Sequence, residues 1–570
     1  MTRLGVPAAT SILVSLAIAL PWLLPPQAGP SPPVIPWLLA IACTGVLAGA
    51  LPLRARPIDW SILIGPGLAF IVCVSSNNME TYAATMAIML VTTCAMTGLR
   101  SSTHEGLVSA LPLAWLIAAL VSCTIGLLQY FGFEKSFSPW MSPSVAGEAY
   151  GNLRQRNLFA SLTNIGIASL LWGTTNPKGK VSPPPPGGPS FRIPFSGYAW
   201  AVASALLLAF GNAASSSRTG LVQLIVIGIF TVWWSQGKRG RESLQLLLVA
   251  SLGYVVAALS LPLLAGLDPS SFGIISRLNE RGTSCASRLT LWSNVLHLIA
   301  QKPWLGWGWG ELDFAHFITL YPGARFCDIL DNAHNLPLHL AVELGIPAAL
   351  LICGSGLWVV WRARPWQERD ATRQMAWGVL AVILLHSMLE YPLWYGPFQM
   401  AFGMCILLLS TTPARYGIFP AEDAPAPSTR APFSPFTLIT SRFIAIFIIA
   451  SAAYAAWDYH RISQIYLAPA QRDEAYRSNT LAKIKASWLF QNQVRFAELT
   501  TTALNADNAA YLNAMALELL HFSPEALVVE KLIDSAAVLD RQEEVEFFKR
   551  RYQAAFPDQY EKWARKHEQP

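Results

Sequence analysis

Long apolar stretches separated by short polar connections dominate the first 456 residues. A helix that crosses a bilayer needs about 20 largely apolar residues, and Pro or Gly within it is tolerated where neighbouring helices satisfy the freed backbone groups. The pattern predicts an all-α, polytopic membrane protein with about 13 transmembrane helices. The stretches are 10–24, 34–53, 60–76, 82–98, 108–132, 157–173, 197–214, 219–235, 243–266, 334–361, 374–390, 393–411 and 436–456.

The pattern after Trp457 is different, because apolar residues recur there at helical spacing among many polar ones. Helices are predicted over 524–539 and 542–556, with Pro557 ending the second. Such paired helices resemble a short tetratricopeptide-like array, although no regular repeat is found. We therefore predict a transmembrane catalytic domain over 1–456, with a long loop at 267–333, and a C-terminal helical domain over 457–570. Two Pro-rich linkers are predicted at 174–194 and 421–436.

Composition and charge support this division. Of 570 residues, 53% are hydrophobic and only 13% are charged, against roughly 25% charged residues in soluble domains. The last 114 residues carry 14 Lys or Arg and 16 Asp or Glu, so 44 of the 74 charges remain for the first 456. This distribution excludes a disordered chain, a soluble multidomain enzyme and a nucleic-acid-binding protein for the first four-fifths.

Basic residues predict the orientation in the membrane, because cytoplasmic loops are rich in Lys and Arg. With the N-terminus in the cytoplasm, 16 basic residues fall in inside loops and only Lys135, Arg154, Arg156 and Arg218 fall in short outside connections. Thirteen spans then place the long loop and the C-terminal domain in the periplasm of a bacterial inner-membrane protein. Cys285 and Cys327 both lie in that loop; in an oxidising compartment they could form a disulfide, the alternative being two free thiols.

Polar and ionisable residues collect at the predicted outside ends of the spans, where such groups are functional candidates because burying them is unfavourable. Each also has an ordinary structural explanation: an interfacial arginine, a histidine at a helix start, a contact between helices for His339 or His386, or an ion pair of Glu390 with an arginine. The segments are 151–157, 215–220, 287–292, 331–335 and 386–395.

These residue types suit one kind of chemistry. A guanidinium binds phosphate bidentately and stays charged in a low-dielectric site, so converging arginines suit a lipid-linked diphosphate. A neutral histidine can accept a proton from an attacking hydroxyl near neutral pH. Arginine can also stabilise a leaving diphosphate, so neither a metal nor another cofactor is required. The outside loops offer no carboxylate-rich metal site, since the second loop contributes only Glu80.

Several motifs resemble the bacterial O-antigen ligase/polymerase superfamily. They are Asn152-Leu153-Arg154-Gln155-Arg156-Asn157, Ser217-Arg218-Thr219-Gly220, Ser287-Arg288-Leu289, the Trp/Gly-rich segment 303–310 and Ala333-His334-Asn335-Leu336. The Arg-Gln-Arg-Asn motif and the segment from His386 through Glu390 to Leu393 resemble the protein O-oligosaccharyltransferase branch, whose members glycosylate pilins. The resemblance runs from about Tyr150 to the C-terminus.

The resemblance implies transfer of a preassembled glycan from undecaprenyl diphosphate to a Ser or Thr hydroxyl of a periplasmic, pilin-like protein. In the family, the histidine at the position of His334 is proposed to activate the acceptor, and arginines at the positions of Arg218 and Arg288 hold the donor diphosphate. Further residues are expected to bind glycan or phosphate: Arg154, Gln155, Arg156, Asn157, Glu390 and Tyr391.

Three other functions fit the same residues. A lipopolysaccharide O-antigen ligase would use a lipid A–core sugar as acceptor, and an O-antigen polymerase would use another lipid-linked glycan. The long C-terminal domain favours a protein acceptor over both. A transporter of the lipid-linked glycan is disfavoured because the chain shows no internal repeat and the ionisable groups lie at one face rather than at the midplane.

Overall fold

The computed structural model describes residues 8–25, 30–31, 34–50, 104–175, 197–235, 237–279, 285–411 and 435–568. Within these ranges the regular structure is entirely helical, which confirms the all-α class. The predicted spans at 60–76 and 82–98 and most of both predicted linkers lie outside the described residues. The total of 13 spans therefore stays a prediction.

Eleven apolar helices correspond to the other predicted spans. Four contain segments long and apolar enough to cross a membrane, at Ala110–Tyr130, Gly240–Leu264, Ile346–Gln367 and Arg442–Tyr466, and several of the others are shorter apolar helices. The helices are α1 (Ala8–Leu23), α2 (Val34–Ala50), α3 (His104–Tyr130), α4 (Arg156–Thr175), α5 (Tyr198–Ala214), α6 (Arg218–Trp234) and α7 (Gly237–Leu264), followed after the loop by α12 (Ile346–Ala363), α13 (Ala371–Ser387), α14 (Gly396–Thr411) and α15 (Pro435–Ser463).

Helix α4 forms the centre of this bundle. Every residue from 158 to 171 is buried, and the helix packs against α3, α5, α6, α7 and α13. A helix that is mostly apolar on every side belongs in the interior of a large assembly of helices. The position of α4 matters for the site, because the Arg-Gln-Arg-Asn motif leads into its first turn.

The stretch predicted as one span over 334–361 is two helices, which corrects that prediction. A short helix α11 (Leu336–Leu344) ends at Gly345, and α12 begins at Ile346. Gly345 has a φ of +88°, and a Cβ there would overlap the carbonyl of Trp304. The close approach of the 303–306 segment, which sequence periodicity does not reveal, therefore separates the two helices.

The long loop folds into its own small core. It contains α8 (Ile274–Asn279), α9 (Arg288–Gln301) and α10 (Leu312–Ile318). Leu291, Val295 and Phe326 of the loop pack together with Val342 of α11. Cys285 and Cys327 are joined as a disulfide, with their Cα atoms 5.4 Å apart. The disulfide ties the residues just before α9 to the segment that follows α10.

The C-terminal region is helical, as predicted. It consists of α16 (Thr480–Ile484), α17 (Gln491–Thr501), α18 (Ala509–Leu519), α19 (Ala526–Val538), α20 (Gln542–Ala555) and α21 (Pro557–Glu568). Pro557 both ends α20 and begins α21, in keeping with the preference of proline for the first position of a helix. Helix α15 continues to Ser463, seven residues beyond the predicted domain boundary at 456, and so links the two regions without a break.

Candidate active site at the ends of α4, α6, α9, α11 and α13

The motifs of the sequence become helix starts in the structure. Ser217 is the N-cap of α6 and accepts a hydrogen bond from the amide of Gly220 at 2.9 Å. Ser287 is likewise the N-cap of α9 and accepts from the amide of Thr290 at 3.2 Å. Serine is a preferred N-cap because its hydroxyl satisfies an otherwise unpaired amide. Each Ser-Arg pair therefore puts its arginine, Arg218 or Arg288, at the first position of a helix.

The glycine of the Ser-Arg-Thr-Gly motif has a separate role. Gly220 packs against α4, where a Cβ would lie 2.6 Å from the Cβ of Ala160. Only a residue without a side chain lets α6 approach α4 this closely. The motif thus combines a cap with a close helix contact, and it brings Arg218 beside the first turn of α4.

His334 precedes α11 in a backbone turn. Its φ is +49°, its amide donates to Asn332 Oδ1 at 2.9 Å, and Asn335 is the N-cap of the helix. A positive φ is uncommon outside glycine, and it separates the imidazole from the regular row of α11 side chains. The Asn335 side-chain amide also donates to the Met388 carbonyl at 3.0 Å, which holds this turn against the end of α13.

Glu390 is the centre of the site. Its carboxylate, with only 6% of the side chain exposed, accepts from Arg288 at Oε1 and lies 2.6 Å at Oε2 from His334 Nδ1. Burial raises the pKa of this carboxyl, but the hydrogen bond from His334 and the positive charges around it outweigh burial and bring the pKa below its ordinary value. Glu390 is therefore an ionised, nearly buried acceptor shared by a histidine and an arginine.

Two amides of the Arg-Gln-Arg-Asn motif complete the contacts of this carboxylate. Gln155 Nε2 lies 3.4 Å from Oε2 and Asn157 Nδ2 lies 3.3 Å from Oε1 of Glu390. Asn157 also accepts a 2.6 Å hydrogen bond from the hydroxyl of Ser217 through its Oδ1. One chain of hydrogen bonds thus joins the start of α4, the cap of α6 and the end of α13.

The other predicted residues lie around this centre in different ways. Arg218 and Arg154 are exposed, and Arg154 has a left-handed backbone with a φ of +55°. Arg156 forms a 2.9 Å ion pair with Glu148, so its guanidinium is directed to that neighbour rather than to Glu390. Tyr391 packs edge-on against His334, with ring centroids 4.8 Å apart. Burial raises the pKa of Tyr391, so its phenol stays neutral.

Three aromatic residues in the segments that form the site were not predicted. Tyr395 stacks on Tyr391 at 6.1 Å, and Trp309 stacks on Trp394 at 6.2 Å. All three are partly exposed. They lie within motifs that the sequence had already singled out, the Trp/Gly-rich segment and the segment after Glu390, so their position in a motif was the available signal.

A chain of buried polar side chains beneath Glu390 was also missed. The hydroxyl of Ser161 lies 2.8 Å from His386 Nδ1 and accepts from Gln223 Nε2 at 2.7 Å. Asn164 donates to Gln223 Oε1 at 3.1 Å and accepts from Asn212 at 3.2 Å. His386 therefore makes a contact between helices, as predicted, and amides inside apolar stretches were the signal for the rest.

The arrangement can perform acid–base and anion chemistry. Because Glu390 holds Nδ1 of His334, the Nε2 atom is the imidazole nitrogen left to accept a proton, as in other carboxylate–histidine pairs. Arg288 uses part of its five-donor guanidinium on Glu390 and keeps donors for an anion. Within the described residues, no group of three His, Cys, Asp or Glu side chains is arranged to hold a metal ion.

Comparisons with known families follow the same segments. A protein glycosylation ligase model matches residues 149–172, an O-antigen ligase model matches 203–353, and a model of the C-terminal part of membrane-bound polymerases described as virulence factors matches 374–570. The first contains the Arg-Gln-Arg-Asn motif, the second His334 and both Ser-Arg pairs, and the third Glu390. The resemblance to the O-antigen ligase family inferred from the motifs is confirmed over these segments, and the apolar helices support a multi-pass membrane protein.

Two relatives carry specific names. A general O-oligosaccharyltransferase of Acinetobacter baylyi is 23% identical over 357 residues, which is 61% of this chain and 56% of the relative. A ComP-specific O-oligosaccharyltransferase of the same species is 23% identical over 305 residues, covering 52% of this chain and 51% of the relative. The chain spans about half the length of the curated relatives it matches.

Proposed function

We propose that this protein transfers a preassembled glycan from undecaprenyl diphosphate to Ser or Thr hydroxyls of periplasmic proteins such as pilins. The observation that carries the proposal is the contact of Glu390 with both His334 and Arg288, which joins a base to an anion-binding group. The names of the two O-oligosaccharyltransferase relatives support a protein acceptor. The membrane orientation predicted from the basic residues would put this site in the periplasm.

His334 is the base in the proposed mechanism. The acceptor hydroxyl oxygen attacks the anomeric carbon of the glycan while its proton passes to Nε2 of His334. Glu390 holds the imidazole in the tautomer with the proton on Nδ1 and stabilises the imidazolium that forms. The structure thus suggests an orienting role for Glu390, whereas the sequence had suggested substrate binding.

Arginines stabilise the leaving group in this mechanism. As the anomeric carbon–oxygen bond breaks, the polyprenyl diphosphate leaves with the bonding electrons, and a single displacement inverts the configuration at carbon. Arg288 and Arg218 each begin a helix, so the partial positive charge of that helix end adds to the guanidinium. The proposal assigns this charge stabilisation to protein side chains without a metal ion.

The remaining residues would position the glycan and the acceptor. Gln155 and Asn157 reach the same carboxylate, and Gln155 can offer its Oε1 to a sugar hydroxyl. Arg154 and Arg156 would hold glycan or phosphate at the membrane surface. Tyr391 borders the imidazole and can contact the C–H face of a sugar ring with its aromatic face. The C-terminal helices are proposed to bind or orient the acceptor protein.

Transfer to the lipid A–core or to another lipid-linked glycan would use the same residues, so the acceptor needs a direct test. The protein is co-expressed with a lipid-linked glycan and a candidate pilin in a host without its own ligase, and the intact mass of the pilin is measured. We expect a mass increase of one glycan, and none with His334→Ala at equal membrane abundance. Glycan found only on lipopolysaccharide would contradict the protein acceptor, and full transfer by His334→Ala would contradict the base.

A further inference from the structure

Helix α9 has a mostly apolar face that the described protein leaves largely exposed. Leu289 and Leu296 are 74% and 55% exposed, and Ser293 and Ala300 are exposed on the same side. Positions spaced by three and four residues share one face of a helix. The opposite face is fully buried in the loop core through Leu291, Val295 and Leu298.

The exposed apolar surface continues beyond the end of α9. Trp304 and Leu305 are 75% and 85% exposed, which is unusual for such large apolar side chains. Their backbone is fixed to the start of α12, because the amide of Ile346 donates to the Pro303 carbonyl at 2.8 Å. We call Leu289, Leu296, Ala300, Trp304 and Leu305 the α9 stripe.

Helix α12 shows what surrounds the far end of this stripe. Only 6% of the most apolar stretch within Ile346–Gln367 is buried within the protein, and Leu350 and Leu351 are each 68% exposed. An apolar helix of this length in a multi-pass membrane protein presents such a surface to lipid acyl chains. The α9 stripe therefore joins a lipid-facing surface at Trp304.

The two ends of α9 are held at the same face of the membrane. Successive membrane-crossing helices run in opposite directions, so α13 returns to the side of the membrane that α12 leaves. The hydrogen bond from Asn335, at the start of α11, to the Met388 carbonyl at the end of α13 agrees with this. One end of α9 is attached to the start of α12 through Pro303, and the other is attached through Arg288 to Glu390, just after α13. A helix of 14 residues, about 21 Å long, fixed at both ends in this way lies along the membrane surface.

We infer that α9 is a membrane-surface helix whose stripe is embedded among the acyl chains of the bilayer. Continuity with the lipid-facing surface of α12 identifies the bilayer as the occupant. An amphipathic helix that lies in the membrane interface buries its apolar face at the boundary between headgroups and acyl chains. Tryptophan is favoured at the same interface. The buried opposite face keeps α9 attached to the loop core.

This placement has a consequence for the proposed function. Arg288 is the first residue of α9, so its guanidinium lies at the depth of lipid headgroups, where a lipid-linked diphosphate carries its phosphates. The donor would then reach Arg288 laterally from the leaflet without leaving it. The membrane contact of the α9 stripe is inferred from the fold alone and does not depend on the proposed glycan transfer.

Spin-label accessibility tests the contact. A nitroxide is attached to Leu296→Cys in the full chain in phospholipid nanodiscs, and its collision rates with oxygen and with a water-soluble nickel chelate are measured. Leu350→Cys on α12 is the lipid standard and Glu546→Cys, exposed on α20, is the water standard. The unsubstituted protein, treated with the same label, gives the background from native thiols.

We expect the oxygen-to-nickel ratio at position 296 to match position 350 and to exceed position 546 several-fold. A ratio like that of position 546 would overturn the inference, and so would dipolar broadening between labels at 296, which would place a second copy on the stripe. Leu305→Cys repeats the test if Leu296→Cys does not fold. The same ratio is also measured in a His334→Ala variant, which is expected to lose glycan transfer. The ratio should be unchanged there, because the membrane contact does not depend on the proposed function.

Discussion

At the residue scale, the site depends on one carboxylate that several distant residues share. Glu390 is separated from His334 by 56 positions and from Arg288 by 102. A nearly buried carboxylate is stable as an anion only where charged or hydrogen-bonding partners compensate its lost hydration. Glu390 therefore depends on its partners, and they depend on it for their positions.

Replacing Glu390 with Gln tests the orienting role. The neutral amide cannot stabilise an imidazolium and can hold His334 in the wrong tautomer, so we expect the transfer rate to fall about 10³-fold. Glu368→Gln is the matched control, because this carboxylate, at the opposite end of α13, is also 6% exposed and pairs with Arg373 at 2.6 Å. Equal transfer rates in the two variants would exclude an orienting role for Glu390.

His316 predicts a pH dependence of the loop. Burial, with a contribution from Arg325, lowers the pKa of His316 to about 3. Below pH 6.5, the ordinary pKa of histidine, the unfolded segment takes up a proton that the folded segment does not. The free energy of unfolding therefore has its full value above pH 6.5 and declines as the pH falls. The loss by pH 5 is about 2 kcal/mol.

Hydrogen exchange of the loop amides measures this effect against His316→Gln, which removes the titration. The opening free energy of the unsubstituted protein should fall by about 2 kcal/mol more than that of the variant between pH 7.5 and pH 5. If the opening free energies of the two proteins changed in parallel with pH, His316 would be protonated in the folded loop as readily as in the unfolded one. Other titrating groups cancel in this difference because both proteins contain them.

At the element scale, short sequence signals decide where several helices begin, whereas a tertiary contact decides where α11 ends. The serine caps of α6 and α9 and the asparagine cap of α11 are local signals that a sequence displays. The break at Gly345 has no such local signal, because it arises from the carbonyl of Trp304, a residue 41 positions away. Apolar periodicity alone therefore merges α11 and α12 into one span.

Ser217→Ala tests the cap that links α6 to the site. Loss of the hydroxyl removes the bond to the Gly220 amide and the bond to Asn157. We expect a loss of about 1 kcal/mol in stability, together with a lower transfer rate because Asn157 is no longer held near Glu390. Ser235→Ala near the far end of α6 is the control, since among the described residues that hydroxyl donates to the carbonyl of Val232, within its own helix turn. An unchanged transfer rate in Ser217→Ala would show that this cap does not support the site.

At the scale of the whole molecule, the loop core and the C-terminal helices are packed together. Phe317 of α10 is 2% exposed and belongs to the same apolar cluster as the helices of the C-terminal region. Glu311 forms a 2.6 Å contact with His521, and Arg551 donates to the Ile318 carbonyl at 2.8 Å. A change in the C-terminal helices can therefore reach the segment that carries His334.

Phe317→Ala should weaken this packing. Removal of a buried phenylalanine destabilises by about 3 to 5 kcal/mol, so we expect faster limited proteolysis of the loop and of the C-terminal helices. Leu527→Ala is the control, because Leu527 is 55% exposed on α19. Proteolysis at the same rate in both variants would mean that α10 does not hold the two parts together.

The amino-acid sequence by itself determined the helical class, most of the apolar helices and the residue types of the candidate site. These follow from local physics: the length of apolar runs, the placement of caps and the cost of charges near a membrane. Only the tertiary structure decided that His334, Arg288, Gln155 and Asn157 all meet at Glu390, and that Arg156 turns to Glu148. Such contacts join residues far apart in the chain, and their geometry depends on how the helices pack, which no local pattern specifies.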